Sequence, residues 1–286
     1  MITSKRQRAG HALIYLALSA WALTTIYPFV WVILNSFKEK KYIRSDTFAL
    51  PLGGMFTLEN YRTAFERVDI PGAYRTSLLI SILVTAAVVL MAGFAAYGMA
   101  RYQFRGRGVL HALVVASMMF PVFSTIIPVF RLLHSAGLVR FESLPFSVLC
   151  VSLPQIAGNL SFAIVVLMGF IRSIPVELEE AAYLEGYGVV RIFFRIIFPL
   201  ARPSFATVGI FTFLWSYNDL FTQMFFLRNK RTYSITRLLA EISSQAGVNY
   251  GLMVAAVVLV VVPVLIVYIL LQKNIIKGMT MGAVKG

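Results

Sequence analysis

Six stretches of this 286-residue chain are long, apolar and almost free of charge: residues 12–37, 76–100, 108–130, 143–171, 203–227 and 248–272. Five contain no Asp, Glu, Lys or Arg, and the fifth contains one acid, Asp219. About 20 such residues cross the hydrocarbon core of a bilayer as a helix. Lipid offers the backbone no hydrogen-bond partner, and isolated strands of this length would leave unpaired edges, so each window is expected to be helical. The fold class that follows is all-α: a polytopic membrane protein with six transmembrane helices. Composition agrees, since 59% of residues are hydrophobic and 13% charged, about half the charged share of an ordinary soluble domain. So much apolar surface exceeds what one globular core hides, and lipid must solvate the rest.

The windows divide the chain into a tail (1–11), a six-helix domain (12–272) with one long polar loop (172–202), and a second tail (273–286). The net charge of +14 is read as basic residues flanking membrane segments and meeting anionic lipid, not as a nucleic-acid surface. Lys5, Arg6 and Arg8 precede an apolar run too long for the core of a signal peptide and without a small-residue cleavage pattern, so it is read as a retained anchor. With both termini in the cytosol, Lys and Arg divide evenly between the two sides. Only their lower density in the loop 38–75 favours that orientation. In that loop, residues 57–65 form a mildly amphipathic segment, with Leu58, Tyr61, Ala64 and Phe65 expected on one face of an interfacial helix. The single cysteine, Cys150, is expected to be a small buried hydrophobe. His11, His111 and His134 are scattered, and Asp219 has no second aspartate in any window. A metal site or an intramembrane catalytic pair is therefore not expected, and no cofactor is implied.

The loop 172–202 carries the strongest signal. Ser173 and Pro175 read as a helix start, and Glu177, Glu179 and Glu180 fall in the first turns, where the helix dipole favours carboxylates. Gly186 and Gly188 end that helix. A second runs through Val189–Ile197 and is expected to stop at Pro199. Glu180-Ala181-Ala182, Gly186 four residues on, then Ile196 and Pro199 make the pattern E-A-A-x3-G-x9-I-x-x-P. This resembles the cytosolic coupling loop of the membrane subunit of bacterial ABC importers, with Phe198 in place of the usual leucine. The resemblance implies that Glu180, Ala181, Ala182, Gly186, Ile196 and Pro199 dock onto an ATPase.

The C-terminal residues from Gln272 to Gly286 are similar to the tail of carbohydrate-uptake permeases of the maltose-permease G-subunit type, matching at Gln272, Gly278, Thr280, Gly282, Ala283, Lys285 and Gly286. That likeness puts Gly278, Thr280, Gly282 and Lys285 near the ATPase subunits. Trp215-Ser216-Tyr217-Asn218-Asp219-Leu220-Phe221 resembles a W-x2-N-D-x-F segment of the fifth span in the same family. The chain is thus identified as similar to a binding-protein-dependent ABC inner-membrane permease throughout its length, with the type I importer fold. The resemblance implies two ATP-binding subunits, a second homologous permease, an extracellular substrate-binding protein and a bacterial or archaeal cell membrane.

No P-loop G-x-x-x-x-G-K-[ST] occurs in the chain, so ATP hydrolysis belongs to partners and the chain is not expected to be an enzyme. Polar groups inside spans tend to face the bundle interior. Asn159, Trp215, Tyr217, Asn218 and Asp219 are the candidate substrate path, with Gln155, Thr212, Phe213, Ser117 and Ser124 as further members. The expected cargo is a sugar or oligosaccharide. A glycerol-phosphate permease of the same family is the alternative, and a self-sufficient secondary transporter is the alternative from another class.

Overall fold

The computed structural model describes residues 5–245 and 249–283. It is helical throughout: α1 (Lys5–Ser36), α2 (Lys40–Ser45), α3 (Glu59–Arg67), α4 (Ile70–Arg101), α5 (Arg107–Ser117), α6 (Val122–Ser135), α7 (Leu144–Ile171), α8 (Glu177–Leu184), α9 (Val189–Ile192), α10 (Phe198–Leu200), α11 (Arg202–Asn218), α12 (Leu220–Phe226), α13 (Ile235–Gln245) and α14 (Tyr250–Ala283). No strand forms among the described residues; an isolated antiparallel bridge pairs Lys38 with Phe56.

Three helical segments, Gly10–Ser36, α4 and α7, are long and apolar enough to cross a membrane alone. Val189–Leu200 and Arg202–Asn218, bent by 82°, count as a fourth if taken as one span. Two expected windows are not continuous helices. Window 108–130 is divided between α5 and α6, because Pro121 supplies no N–H and restricts the residue before it. Window 203–227 breaks at Asp219, which caps α12: its Oδ1 accepts the Thr222 N–H at 3.0 Å. The second helix of the polar loop also departs from expectation. It widens into a π-turn over Phe193–Ile197, continues through Pro199, and bends only at Ala201. Pro199 has no N–H for the Arg195 carbonyl, and the wider turn immediately before it accommodates that loss.

Contacts divide the chain into two units, Met1–Asp69 with Glu241–Pro263, and Ile70–Ala240 with Val264–Gly286. In the first unit, α1 is apolar all round and exposed along residues 10–30, with Leu16 and Trp21 three-quarters accessible. Such a helix has no polar face to offer water and suits lipid. Beyond it, the segment 36–61 is held by a polar knot. Asn60 donates to the carbonyls of Ser36 and Lys38 at 2.9 and 2.8 Å, and Ser36 bonds Tyr61 at 2.7 Å. Phe37 stacks on Phe56. The packed face of α3 is therefore Asn60, Tyr61 and Ala64, whereas Leu58 and Phe65 are exposed; the need to satisfy the Ser36 and Lys38 carbonyls outweighs the gain from hiding two apolar side chains.

Lys38 is fully buried, its ammonium held by Asn35 Oδ1 and by the carbonyls of Asp46 and Thr47 at 3.2, 2.9 and 3.1 Å. Burial lowers its pKa from the ordinary lysine value, with Asp46 offsetting only part of that. Between the lowered folded value and the unfolded value of about 10.4, the unfolded chain binds more protons, so stability rises with pH across that window. Chymotrypsin cleavage at Phe37 and Tyr42 in detergent should accordingly slow as pH climbs towards 10, and Lys38→Met should abolish that dependence.

In the second unit, α4 and α7 pack along their lengths, and α11 packs against both. The buried stripe of α4 is Ala73, Ser77, Ile80, Ser81, Val84, Val88, Ala92 and Ala96. Small residues dominate it and let the backbones approach, as membrane helices require in the absence of a hydrophobic drive between them. Cys150 is buried as expected, its thiol donating to the Leu138 carbonyl at 3.1 Å.

Candidate functional site

The polar loop has an inner and an outer face. Helix α8 ends in a Schellman motif: the Gly186 N–H donates to Tyr183 O at 2.9 Å and the Tyr187 N–H to Ala182 O at 3.0 Å. Gly186 has φ +82°, a left-handed conformation that a side chain disfavours. The start differs from expectation. Ser173 is no cap; its hydroxyl turns back to Phe170 O at 2.7 Å, and α8 begins without a side-chain cap at Val176. Of the expected docking residues, Ala182 is buried and Ile196 half-buried, while Glu180, Ala181, Gly186 and Pro199 are exposed. Beside them stands Leu184, 92% exposed. This residue lies inside the motif but was hidden by its variable x positions.

The inner face is built on Glu179, which the motif does not include. It is buried, accepting from the Tyr97 hydroxyl at 2.8 Å and from Arg101 Nε at 2.5 Å. Arg101 also donates from Nη2 to Ile174 O at 2.7 Å, so it holds both α8 and the turn leading into it. Nearby, the hydroxyls of Tyr102 and Tyr183 pair at 2.7 Å. Burial, then this bond, raises the Tyr102 phenol above its ordinary pKa. Phe193, in the π-turn, lies 4.4 Å ring to ring from Phe94 and packs edge-on to Phe205. Gly93 makes room for them: a Cβ there would sit 2.8 Å from Phe205 and 3.1 Å from Phe193. Sequence alone could have flagged Glu179 only through its place one turn before Tyr183 on a helix already rich in exposed acids.

A cavity of ≈ 450 Å³ lies where α7 meets the break between α11 and α12. Asn159, Trp215 and Asp219 line it together with Gln155, Ser216 and Thr222, and Pro121 and Pro154 complete its wall. Gln155 ties the two helices: its Nε2 donates to Asp219 Oδ2 at 2.8 Å and its Oε1 accepts from Ser216 at 2.6 Å. Asn159 donates to Gln155 O at 2.7 Å. The half-exposed Trp215 ring is braced by Phe162 at 4.9 Å. Tyr217 and Asn218 do not join this group. Tyr217 is buried and stacks with Phe213, and Asn218 is exposed and bonds Leu214 O at 2.8 Å. Neither residue is among those that line the cavity. Ser117 pairs with Ser161 at 2.5 Å, and Ser124 bonds Pro121 O.

Asp219 is the one ionisable side chain of the lining, so the cavity couples a carboxylate, an amide oxygen and an indole face with no cation. That combination suits a neutral ligand with hydroxyl donors and C–H surfaces. Gly278, Thr280 and Gly282 lie on α14, and Lys285 lies outside the described residues.

Residues 89–281 match the family described as the binding-protein-dependent transport system inner membrane component. The chain is 34% identical over 96% of its length to the diacetylchitobiose uptake system permease protein NgcG of Streptomyces coelicolor, covering 87% of that protein. It is 29% identical over 91% of each chain to the melibiose/raffinose/stachyose import permease protein MelC of Bacillus subtilis. Its fold resembles that of a bacterial ABC transporter importing the acidic polysaccharide alginate, with a TM-score of 0.83, 20% identity and coverage of 96% of this chain and 99% of the other.

Proposed function

Because this chain belongs to the family of binding-protein-dependent transport system inner membrane components, in its carbohydrate-uptake branch, we propose that it forms, with a second permease, the path by which a sugar or oligosaccharide crosses the cell membrane. Six spans carry it, two of them broken, with both termini in the cytosol. The cargo arrives on an extracellular binding protein. Two ATPase subunits drive the cycle by gripping the loop 172–202, with Glu180, Ala181 and Gly186 at the contact and Gly278, Thr280, Gly282 and Lys285 close by. Asn159, Trp215 and Asp219 touch the cargo.

The observation that carries the docking reading is the outer face of α8. Leu184, Ala181 and Gly186 form a small apolar knob that is left exposed among the described residues, on a helix whose opposite face is anchored. Exposed apolar surface on an otherwise anchored helix marks a partner site. The cavity favours the saccharide over glycerol phosphate, since a phosphate would meet the Asp219 carboxylate with no cation among the lining residues.

Reconstitution tests the proposal. Liposomes holding this chain alone should take up neither lactose nor raffinose. Adding the second permease, ATPase subunits and loaded binding protein should give ATP-dependent uptake, and Gly186→Val in the full assembly should abolish it. Uptake by the chain alone would make it a secondary transporter and overturn the reading.

A further inference from the structure

The docking loop is joined by the chain to α7 on one side and α11 on the other, yet its two firmest side-chain attachments are to a third helix, α4. Glu179 reaches Tyr97 and Arg101 across 82 and 78 positions of sequence. Arg101 reaches Ile174 across 73. Phe193 rests on Phe94 and Tyr97, in the space left by Gly93. Gly93, Tyr97 and Arg101 are spaced by four, so both attachments fall on one stripe at the end of α4. The ion pair is nearly dry, with side-chain exposures of 12% for Arg101 and 5% for Glu179.

A buried pair with both partners satisfied is weak as net stability, since desolvation cancels much of the attraction. Removing one partner is costly, because it strands a charge. What such a pair supplies is geometry: the guanidinium fork fixes α8 and its lead-in turn against α4 in one orientation. An apolar contact would allow these elements to slide; this contact does not.

We propose that Arg101 and Glu179 are positioning residues for transport, a clamp that delivers displacement of the docking loop directly into α4. Helix α4 in turn packs along α7 and α11, the helices that hold Gln155, Asn159 and Trp215 and, at the end of α11, lead into Asp219. Movement at α8 thus reaches the cavity through α4 as well as through the chain's own bends. The clamp rests on the reading that ATPase subunits grip this loop.

The test needs no identified cargo. In the full importer, Cys150 is replaced by Ala and Asn159 by Cys, and the rate of labelling at position 159 by a maleimide is measured with and without ATP and vanadate. ATP hydrolysis and retention of the ATPase subunits on purification are measured in parallel. With the clamp intact, labelling responds to ATP. Glu179→Gln and Arg101→Met should keep the ATPase subunits and hydrolysis but lose the response, and Arg101→Lys, which keeps the charge but not the fork, should restore little of it. A response unchanged in both variants overturns the clamp. So does a loss of assembly with a normal response in the fraction that assembles, since that marks a purely structural pair. If ATPase subunits are absent from the unaltered importer, or survive Leu184→Glu, the docking reading itself fails and the clamp falls with it.

Discussion

Replacing Leu184 by Glu releases the ATPase subunits from the purified importer while this chain stays folded in the membrane. The expectation follows from exposure. Leu184 is 92% accessible and sits in the last turn of α8, so its side chain adds almost nothing to the chain's own core. Seated in a partner's cleft, a leucine contributes roughly 1.5–3 kcal/mol by burial. A carboxylate in the same cleft forfeits that and adds a further cost of several kcal/mol for an unpaired buried charge. At about 1.4 kcal/mol per tenfold, affinity should fall by more than ~100-fold. Co-purification of the ATPase subunits reads this directly, and Leu184→Met should retain them because volume and polarity are kept. Normal co-purification of Leu184→Glu would mean that the knob faces water or lipid and that docking occurs elsewhere.

Asp219→Ala should unfold the cavity wall, and Asp219→Asn should spare it. The carboxylate caps α12 through Thr222 and holds Gln155, which holds Ser216. Alanine removes a cap that contributes about 1 kcal/mol and strands the buried Gln155 amide at a cost of roughly 1–3 kcal/mol. The sum, ~2–4 kcal/mol, is a large part of the stability of a marginal native state. Asparagine caps a helix as well as aspartate does. With the Gln155 amide flipped, it can still accept from Thr222 and meet Gln155 and Ser216. Thermal aggregation in detergent should therefore fall sharply in midpoint for Asp219→Ala and little for Asp219→Asn. Because Asn leaves the wall standing and removes the charge, uptake by that variant isolates what the carboxylate does for the cargo. A saccharide donating to Asp219 should be carried less well. Equal stability of the Ala and Asn variants would show that the network does not brace the wall.

Much of this was legible before any coordinates. Uncharged windows of bilayer length leave a helix as the way to satisfy the backbone, so fold class followed from composition and period. The E-A-A-x3-G pattern located the loop, and Gly186 has the left-handed turn that such a glycine implies. Less legible was where the windows would break. Hydropathy averages over a window and is blind to a single capping acid such as Asp219 or a missing N–H such as that of Pro121. The site residues divided for a similar reason: Asn159, Trp215 and Asp219 converge, while Tyr217 and Asn218, in the same apolar-polar run, face elsewhere.

The sequence by itself determined that this chain lives in a membrane as helices, belongs with sugar permeases and depends on partners for ATP. These properties are local or additive, set by runs of side chains and short spacings. Only the tertiary structure decided that Glu179 points inward and Glu180 outward, that Arg101 reaches α8 across 78 positions, and that Gln155 joins Asp219 to Ser216. Those pairings depend on which faces of distant helices meet, and neither hydropathy nor motif spacing carries that information.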